Sequence, residues 1–359
     1  MIRVLNLPAD PYAAGLLHGQ TLASEIRQNL ALYQERLEKA YGLARREGLR
    51  RARVHLERLA AWAPEYLLGL QGLAQGAGLT PAEIALLDAR YELFYAEFAK
   101  EGCTALFLRP PKAEEMLLAQ TWDWIPSVWG IWVRVPLGDC GVLAFTEAGI
   151  FGGKIGLNRA GLGLCLTGLA SPGDRWDGEG IPLHARVWRA LQALTLAEAV
   201  EILSATPSPC SAGFLVGDGE GAACVELTPN EARVFPIPHA SFVHANHFLL
   251  FSLQAGARAE LENSYSRQVR AEALLAAQPS LAVAQVFAVL RDHQGFPNGI
   301  CRHPDEGLPP WERWATNLAV VLAPRRGEIQ FTWGSPCASP VQRLSLTGTP
   351  PKGGAAPPA

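Results

Sequence analysis

The chemistry in this chain centres on Gly102-Cys103-Thr104, where a helical pattern gives way to a strand-like run. A cysteine considered by type alone is a small buried hydrophobe. The glycine before it changes that reading, because it offers an unhindered carbonyl and tolerates strained dihedrals. Attack by the Cys103 thiol on that carbonyl makes a thioester through an N-to-S acyl shift, and water then frees Cys103 with an α-amine. Such an amine titrates at roughly 7.7–8.0, close enough to neutrality to serve as the thiol's own base. An N-terminal nucleophile of this kind needs no separate histidine. The junction therefore predicts self-cleavage between Gly102 and Cys103, with Cys103 as nucleophile.

Other candidates follow along the chain. Asp123 lies between Trp122 and Trp124, either facing solvent or held as a carboxylate beside the new amine. The two tryptophans are core packing or the wall of an apolar acyl pocket. Asn246, in His244-Ala245-Asn246-His247, is a turn residue bonded to backbone or a donor to a developing oxyanion. Arg313 sits between Trp311 and Trp314, as a surface cation stacked on rings or a buried partner of Asp123. His244 and His247 lack the i, i+4 spacing of a helical zinc motif, so no metal is expected. The segment holding His293, Cys301 and His303 reads as a structural loop.

The elements that must position these residues are legible from periodicity. Thr80-Pro81-Ala82-Glu83 is a capping box, followed by an amphipathic stripe that predicts a helix to about residue 100. From Cys103 onward, short apolar runs alternate with Gly and Pro: residues 104–108, 116–122, 131–135, 142–146 and 162–167. A helical pair over 183–194 and 196–204 follows, then strands over 213–216, 222–227, 232–235 and 241–244. Helices over 264–277 and 281–291 precede strands over 317–322 and 328–333. Asn158-Arg159-Ala160-Gly161-Leu162-Gly163 reads as a hairpin turn rather than a phosphate loop. The order predicts an α+β layered fold of two sheets with helices outside. Residues 1–102 form a helical leader, 103–347 the catalytic domain, and 348–359 a Pro-, Gly- and Ala-rich disordered tail.

The chain has 359 residues, 49% hydrophobic and 18% charged, with a net charge of −3. That composition is globular. No basic stripe appears, which sets aside nucleic acid and anionic membrane as partners. Seven cysteines at wide spacing, with no C-x-x-C pair, suit a reducing compartment, and no run of apolar residues is long enough to span a bilayer. The expectation is a cytoplasmic enzyme that needs no cofactor.

Together these stations resemble the acyl-coenzyme A:isopenicillin N acyltransferase family of Ntn hydrolases, more distantly the penicillin V acylases and bile salt hydrolases. The likeness runs from Gly15-Leu16-Leu17-His18-Gly19 to about Pro336. It passes through Asp88-Ala89-Arg90-Tyr91-Glu92, Gly102-Cys103-Thr104, Trp122-Asp123, Thr146-Glu147-Ala148-Gly149, His244-Ala245-Asn246-His247, Ile300-Cys301-Arg302 and Arg313-Trp314-Ala315-Thr316. The resemblance implies a four-layer αββα sandwich of antiparallel sheets, cleavage before Cys103, and a leader retained as a small subunit. It implies Asn246 in the oxyanion hole, Asp123 and Arg313 as a charged pair, and a small-molecule amide or acyl donor, including acyl-CoA. Thr121, Gly299 and Glu312 depart from the fungal acyltransferase, which carries Asn, Ser and Ser there. The alternatives are a non-catalytic protein that keeps the fold for binding, and a metal-dependent hydrolase built on His244, His247 and His303.

Overall fold

Alternation of side chains along the strands creates two apolar faces, and the layers follow from covering both. The computed structural model describes residues 2–93, 102–109, 115–252, 261–278 and 282–347. In β2 (Thr104–Leu108) and β3 (Leu117–Trp124), Ala105, Phe107, Leu118 and Trp122 join the large central core. Their neighbours Leu106, Leu108, Leu117 and Ala119 belong to a second core on the opposite face. Every residue of both strands is buried, as period-two geometry demands of a sheet covered on both sides.

Among the described residues this sheet has six strands. β11 (Ser241–His244), β2, β3, β12 (Ala315–Ala323), β13 (Glu328–Trp333) and β14 (Gln342–Ser345) lie in that order, all antiparallel. The facing sheet begins with β1 (Val4–Asn6), β4 (Gly130–Val135), β5 (Val142–Glu147) and β6 (Ile155–Asn158). It continues through β7 (Gly163–Gly168), β8 (Ala212–Gly217), β9 (Ala222–Leu227) and β10 (Ala232–Pro236). The sheets touch through β2 and β3 against β7 and β8.

Leader helices α1 (Pro11–Thr21), α2 (Ala23–Tyr41), α3 (Arg45–Trp62), α4 (Pro64–Ala77) and α5 (Pro81–Asp88) come first. α6 (Leu183–Ala190) packs on α7 (Leu196–Ser204), which covers β8, β9 and β10. On the other side, α8 (Glu262–Ala276) and α9 (Val283–Leu290) cover β11, β12 and β3. The αββα sandwich is thus in place. No helix among the described residues is long and apolar enough to cross a membrane.

The structure departs from the sequence expectation in a few places. Residues 4–6, in a stretch expected to be helical, pair in parallel with β4, so one sheet is mixed. β6 and β14 were not anticipated; each has four residues, too few to display a period, and β14 carries one apolar side chain. The capping box at Thr80 forms as expected. The helix it starts ends at Asp88, residues 90–93 are helical again, and the expected continuation to residue 100 lies outside the described residues. So does the expected tail at 348–359.

A buried ionic cluster ties the leader to the sandwich. Glu147, at the end of β5, accepts hydrogen bonds from Tyr33 Oη at 2.5 Å, Arg90 Nη2 at 2.5 Å and Lys154 Nζ. All four side chains are almost fully buried. Burial alone would push the Glu147 carboxyl up, but Arg90 and Lys154 hold it down at about 2. Burial lowers Lys154 to about 7, against the opposing pull of Glu147. Nearby, the Asp88 carbonyl lies 2.7 Å from His184 Nδ1, Tyr66 Oη donates to the Phe151 carbonyl at 2.8 Å, and Leu183 N donates to Glu92 at 2.9 Å. The segment from Asp88 to Glu92 therefore works as a zipper between the two parts.

Removing Glu147 leaves two cations facing each other without an anion. Glu147→Ala is expected to cost about 3–5 kcal/mol, readable as a melting temperature lower by roughly 5–10 °C. The sign with pH is fixed, because the folded carboxyl titrates at about 2, below its reference value of 4.5. The stabilisation is complete above pH 4.5 and is lost as pH falls toward 2. The difference between wild type and Glu147→Ala should narrow across that window.

Candidate active site

Gly102 leads into β2 with φ at 145°, a conformation that favours glycine. A methyl group built on its Cα would sit 3.1 Å from Asn246 Nδ2. The carboxamide of Asn246 thus lies against the residue whose carbonyl would be attacked. Cys103 follows, 6% exposed, and β2 begins at Thr104, which pairs with Thr121 of β3. That register sets Gln120, Trp122 and Asp123 around the Cys103 end of the strand.

One buried cation organises the junction. Arg267 of α8 donates from Nη1 to the Cys103 carbonyl at 2.8 Å and to Thr104 Oγ1 at 2.7 Å. Its Nη2 donates to Asn246 Oδ1 at 2.8 Å and its Nε to Asn263 Oδ1 at 2.9 Å. A guanidinium only donates, so the Asn246 oxygen must face it. The Nδ2 group is thereby aimed the other way, toward Gly102 and the Gly168 carbonyl, 3.0 Å distant. A side-chain donor is thus held in one orientation beside the Gly102–Cys103 bond.

Asp123 is fully buried. Thr316 Oγ1 donates to its Oδ1 at 2.7 Å, and Oδ2 has no hydrogen-bond partner. Burial raises this carboxyl to about 6, while the charges of Arg267 and Arg302 oppose the rise. Thr316 in turn accepts from Arg302 N at 2.8 Å, which links that loop to the carboxylate.

The expected pairing of Asp123 with Arg313 does not occur. Arg313 is half-buried and donates to the carbonyls of Leu308 at 2.8 Å and Glu306 at 3.2 Å. The cause is local: the 3-10 turn Pro310–Glu312 precedes it, and the side chain folds back over the loop. Trp314 enters the core instead, edge-on to Trp124 with centroids 5.2 Å apart and with Arg36 of the leader over its ring at 4.7 Å. The cations that do act on Asp123 are Arg267 and Arg302.

Burial pushes the Cys103 thiol up to about 11, and the Asp123 charge adds to the rise. Hydrogen bonds from the Asp123 backbone and the Gln120 side chain pull the other way. At pH 7 a thiol near that value is a thiolate in roughly one molecule in ten thousand. Attack therefore requires proton removal in step with it rather than a resident thiolate.

Trp122 and Trp124 stack at 6.2 Å, with Lys154 Nζ 3.9 Å from the centre of the first ring and Arg90 over the second at 4.2 Å. Both rings are nearly fully buried.

The histidines proposed as metal ligands are kept apart by other bonds. His244 lies between Glu226 at 3.0 Å and Thr167 at 2.8 Å, and His247 meets Ser264 at 2.8 Å. His303 sits in a different cluster, among His293, Cys301 and Cys337. Sequence reading also missed Arg267, and one signal could have found it. The buried positions of α8 are Ser264, Arg267, Ala271 and Leu275, so a cation occupies the inward face of an amphipathic helix.

The profile of the family described as acyl-coenzyme A:6-aminopenicillanic acid acyl-transferase matches residues 111–338. Over 309 residues the chain is 30% identical to the acyl-coenzyme A:6-aminopenicillanic-acid-acyltransferase 40 kDa form of Emericella nidulans, covering 83% of this chain and 78% of that one. Among solved structures it is similar to a mutant conjugated bile acid hydrolase from Clostridium perfringens. The TM-score there is 0.48 at 15% identity, over 69% of this chain and 95% of the other. It is also similar to a Caenorhabditis elegans N-acylethanolamine-hydrolyzing acid amidase ortholog. In that case the TM-score is 0.45 at 13% identity, over 62% of this chain and 93% of the other.

Two variants separate the cations. Arg267→Ala strands the Cys103 carbonyl and Asn246, and is expected to cost about 2–4 kcal/mol and to slow chemistry at the junction. Arg313→Ala loses two loop contacts and should change stability by less than about 1 kcal/mol; melting curves and turnover of both variants check the contrast. A pH profile addresses Asp123, whose folded carboxyl titrates at about 6, above its reference of 3.8. Ionising it therefore costs stability as pH rises from 3.8 to 6, and the anion is present only above that window. Activity should climb through about pH 6, and Asp123→Asn should lose that limb without losing stability at pH 7.

Proposed function

Because the chain belongs to the acyl-coenzyme A:6-aminopenicillanic acid acyl-transferase family, it is an enzyme, and we propose that Cys103 is its self-exposed N-terminal nucleophile. The Cys103 sulfur adds to the Gly102 carbonyl carbon, and the resulting oxyanion is met by Asn246 Nδ2. Collapse breaks the C–N bond of the Gly102–Cys103 peptide, and the proton given up by the attacking thiol ends on the departing nitrogen. The product is a thioester between Gly102 and the Cys103 sulfur, with an α-amine on Cys103. Water hydrolyses that thioester, leaving a carboxylate at Gly102 and a free thiol.

The same machinery then handles substrate. The α-amine takes the thiol proton as the sulfur attacks an amide or acyl donor, and the leaving group departs with a proton. Asp123, with one oxygen free of partners, balances the ammonium that forms. Water or an amine resolves the acyl-enzyme, giving hydrolysis or acyl transfer. Trp122, on the strand beside Cys103, would line the acyl pocket once the junction opens. The leader stays as a small subunit, because the bonds of Tyr33, Arg90, Asp88 and Glu92 to the sandwich do not depend on the cut peptide. The seven free cysteines support a reducing, cytoplasmic setting. The acyl-coenzyme A named in the family relatives makes an acyl thioester of that type a candidate donor. The observation that carries this reading is the placement of Asn246 Nδ2 against Gly102, fixed by Arg267.

Denaturing electrophoresis with intact mass should show two fragments, 1–102 and 103–359, that co-purify, while Cys103→Ala remains one chain. A wild-type chain that stays whole yet turns over amides contradicts the proposal. Asn246→Ala should keep substrate binding near normal and slow turnover by a hundredfold or more, about 3–4 kcal/mol at the transition state. Near-normal turnover of Asn246→Ala would place the oxyanion donor elsewhere.

A further inference from the structure

Outside the Cys103 site, four side chains from two distant loops converge on one point. His293, Cys301 and His303 follow α9, and Cys337 follows β13; their ligand atoms all lie within 4.8 Å of one another. His303 Nε2 lies 3.6 Å from Cys301 Sγ, 3.5 Å from Cys337 Sγ and 3.1 Å from His293 Nε2. A ring nitrogen has either one proton or one lone pair, so it satisfies one of these three neighbours by hydrogen bonding and not all of them. A shared cation satisfies all four groups at once.

The three separations from His303 agree with that reading. Zinc bound at about 2.3 Å to sulfur and 2.0–2.1 Å to nitrogen in a tetrahedron sets S···N edges near 3.5 Å and N···N edges near 3.3 Å. Two thiolates and two imidazoles are a donor set for Zn²⁺, and four protein ligands leave no open position for a reacting water. Sequence spacing conceals the set, because Cys337 is 34 residues beyond His303 and supplied by a different loop. Arg291 Nε already holds the Pro336 carbonyl at 2.8 Å, so the two loops are in register without the ion.

We propose that His293, Cys301, His303 and Cys337 bind one Zn²⁺ as a structural clamp between the 293–303 loop and the turn after β13. Its place gives it a reach into the catalytic end of the sheet. Arg302 lies between two of the ligands, its N–H bonds Thr316, and Thr316 bonds Asp123.

The full-length protein, purified under reducing conditions without chelator and supplied with Zn²⁺ alone, should hold about one zinc per chain by elemental analysis. Zn²⁺ should raise the melting temperature by roughly 4 °C or more over chelator-treated protein. Replacing Zn²⁺ by Co²⁺ should give the visible absorption of a tetrahedral site and a thiolate charge-transfer band. Cys337→Ser and His293→Ala change exposed members of the set, so both should fold yet lose the bound zinc, and Cys337→Ser should lose the charge-transfer band. Three results overturn the proposal: reduced wild type that takes up neither ion, a Cys301–Cys337 disulfide with no metal uptake after its reduction, or uptake unchanged in Cys337→Ser.

Discussion

The Gly102–Cys103 end of this structure depends on one buried guanidinium, that of Arg267. Arg267 is buried at 2% exposure, and a charge removed from water must have its donors met. Its partners include the Cys103 carbonyl, Thr104, Asn246 and Asn263. Meeting that demand fixes the end of β2, the orientation of the Asn246 amide and the position of α8 together. It also places a positive charge near Asp123, whose carboxyl burial has already raised. Geometry and electrostatics at the junction thus share one cause, and the φ of Gly102 is the backbone conformation that the arrangement requires.

A second buried charge cluster does for assembly what Arg267 does for the site. Glu147 gathers Tyr33 and Arg90 from the leader and Lys154 from the loop before β6. Lys154 and Arg90 lie over the rings of Trp122 and Trp124, so this cluster and the nucleophile share a wall. Under the proposed cleavage the two pieces must stay together, and the interactions doing so should not pass through the cut. The bonds of Tyr33, Arg90 and Glu92 satisfy that condition, because they do not run through the Gly102–Cys103 peptide.

What was legible in the sequence was what is local. Capping at Thr80 and the limits of β2, β9 and β11 depend on neighbours a few residues away. Cys103 and Asn246 stood out because a glycine before a cysteine and an amide among histidines are chemically specific. Partner choice among cations is a different matter. The resemblance paired Arg313 with Asp123, yet a three-residue turn folds its side chain back over the loop. Arg267 went unread because its role depends on the inward face of α8. The His–Cys cluster was invisible because the turn after β13 supplies its fourth member, and only the sheet order brings that turn to the 293–303 loop.

The central claim is that one sulfur both opens the chain and carries the acyl group afterwards. The direct measurement is to mix processed enzyme with a chromogenic acyl amide, quench in acid, and locate the added mass by peptide sequencing. The account predicts an acyl group on Cys103 at the N-terminus of the 103–359 fragment, released by hydroxylamine as a thioester is. An acyl group on another residue, or full turnover after Cys103 has been alkylated, would contradict it.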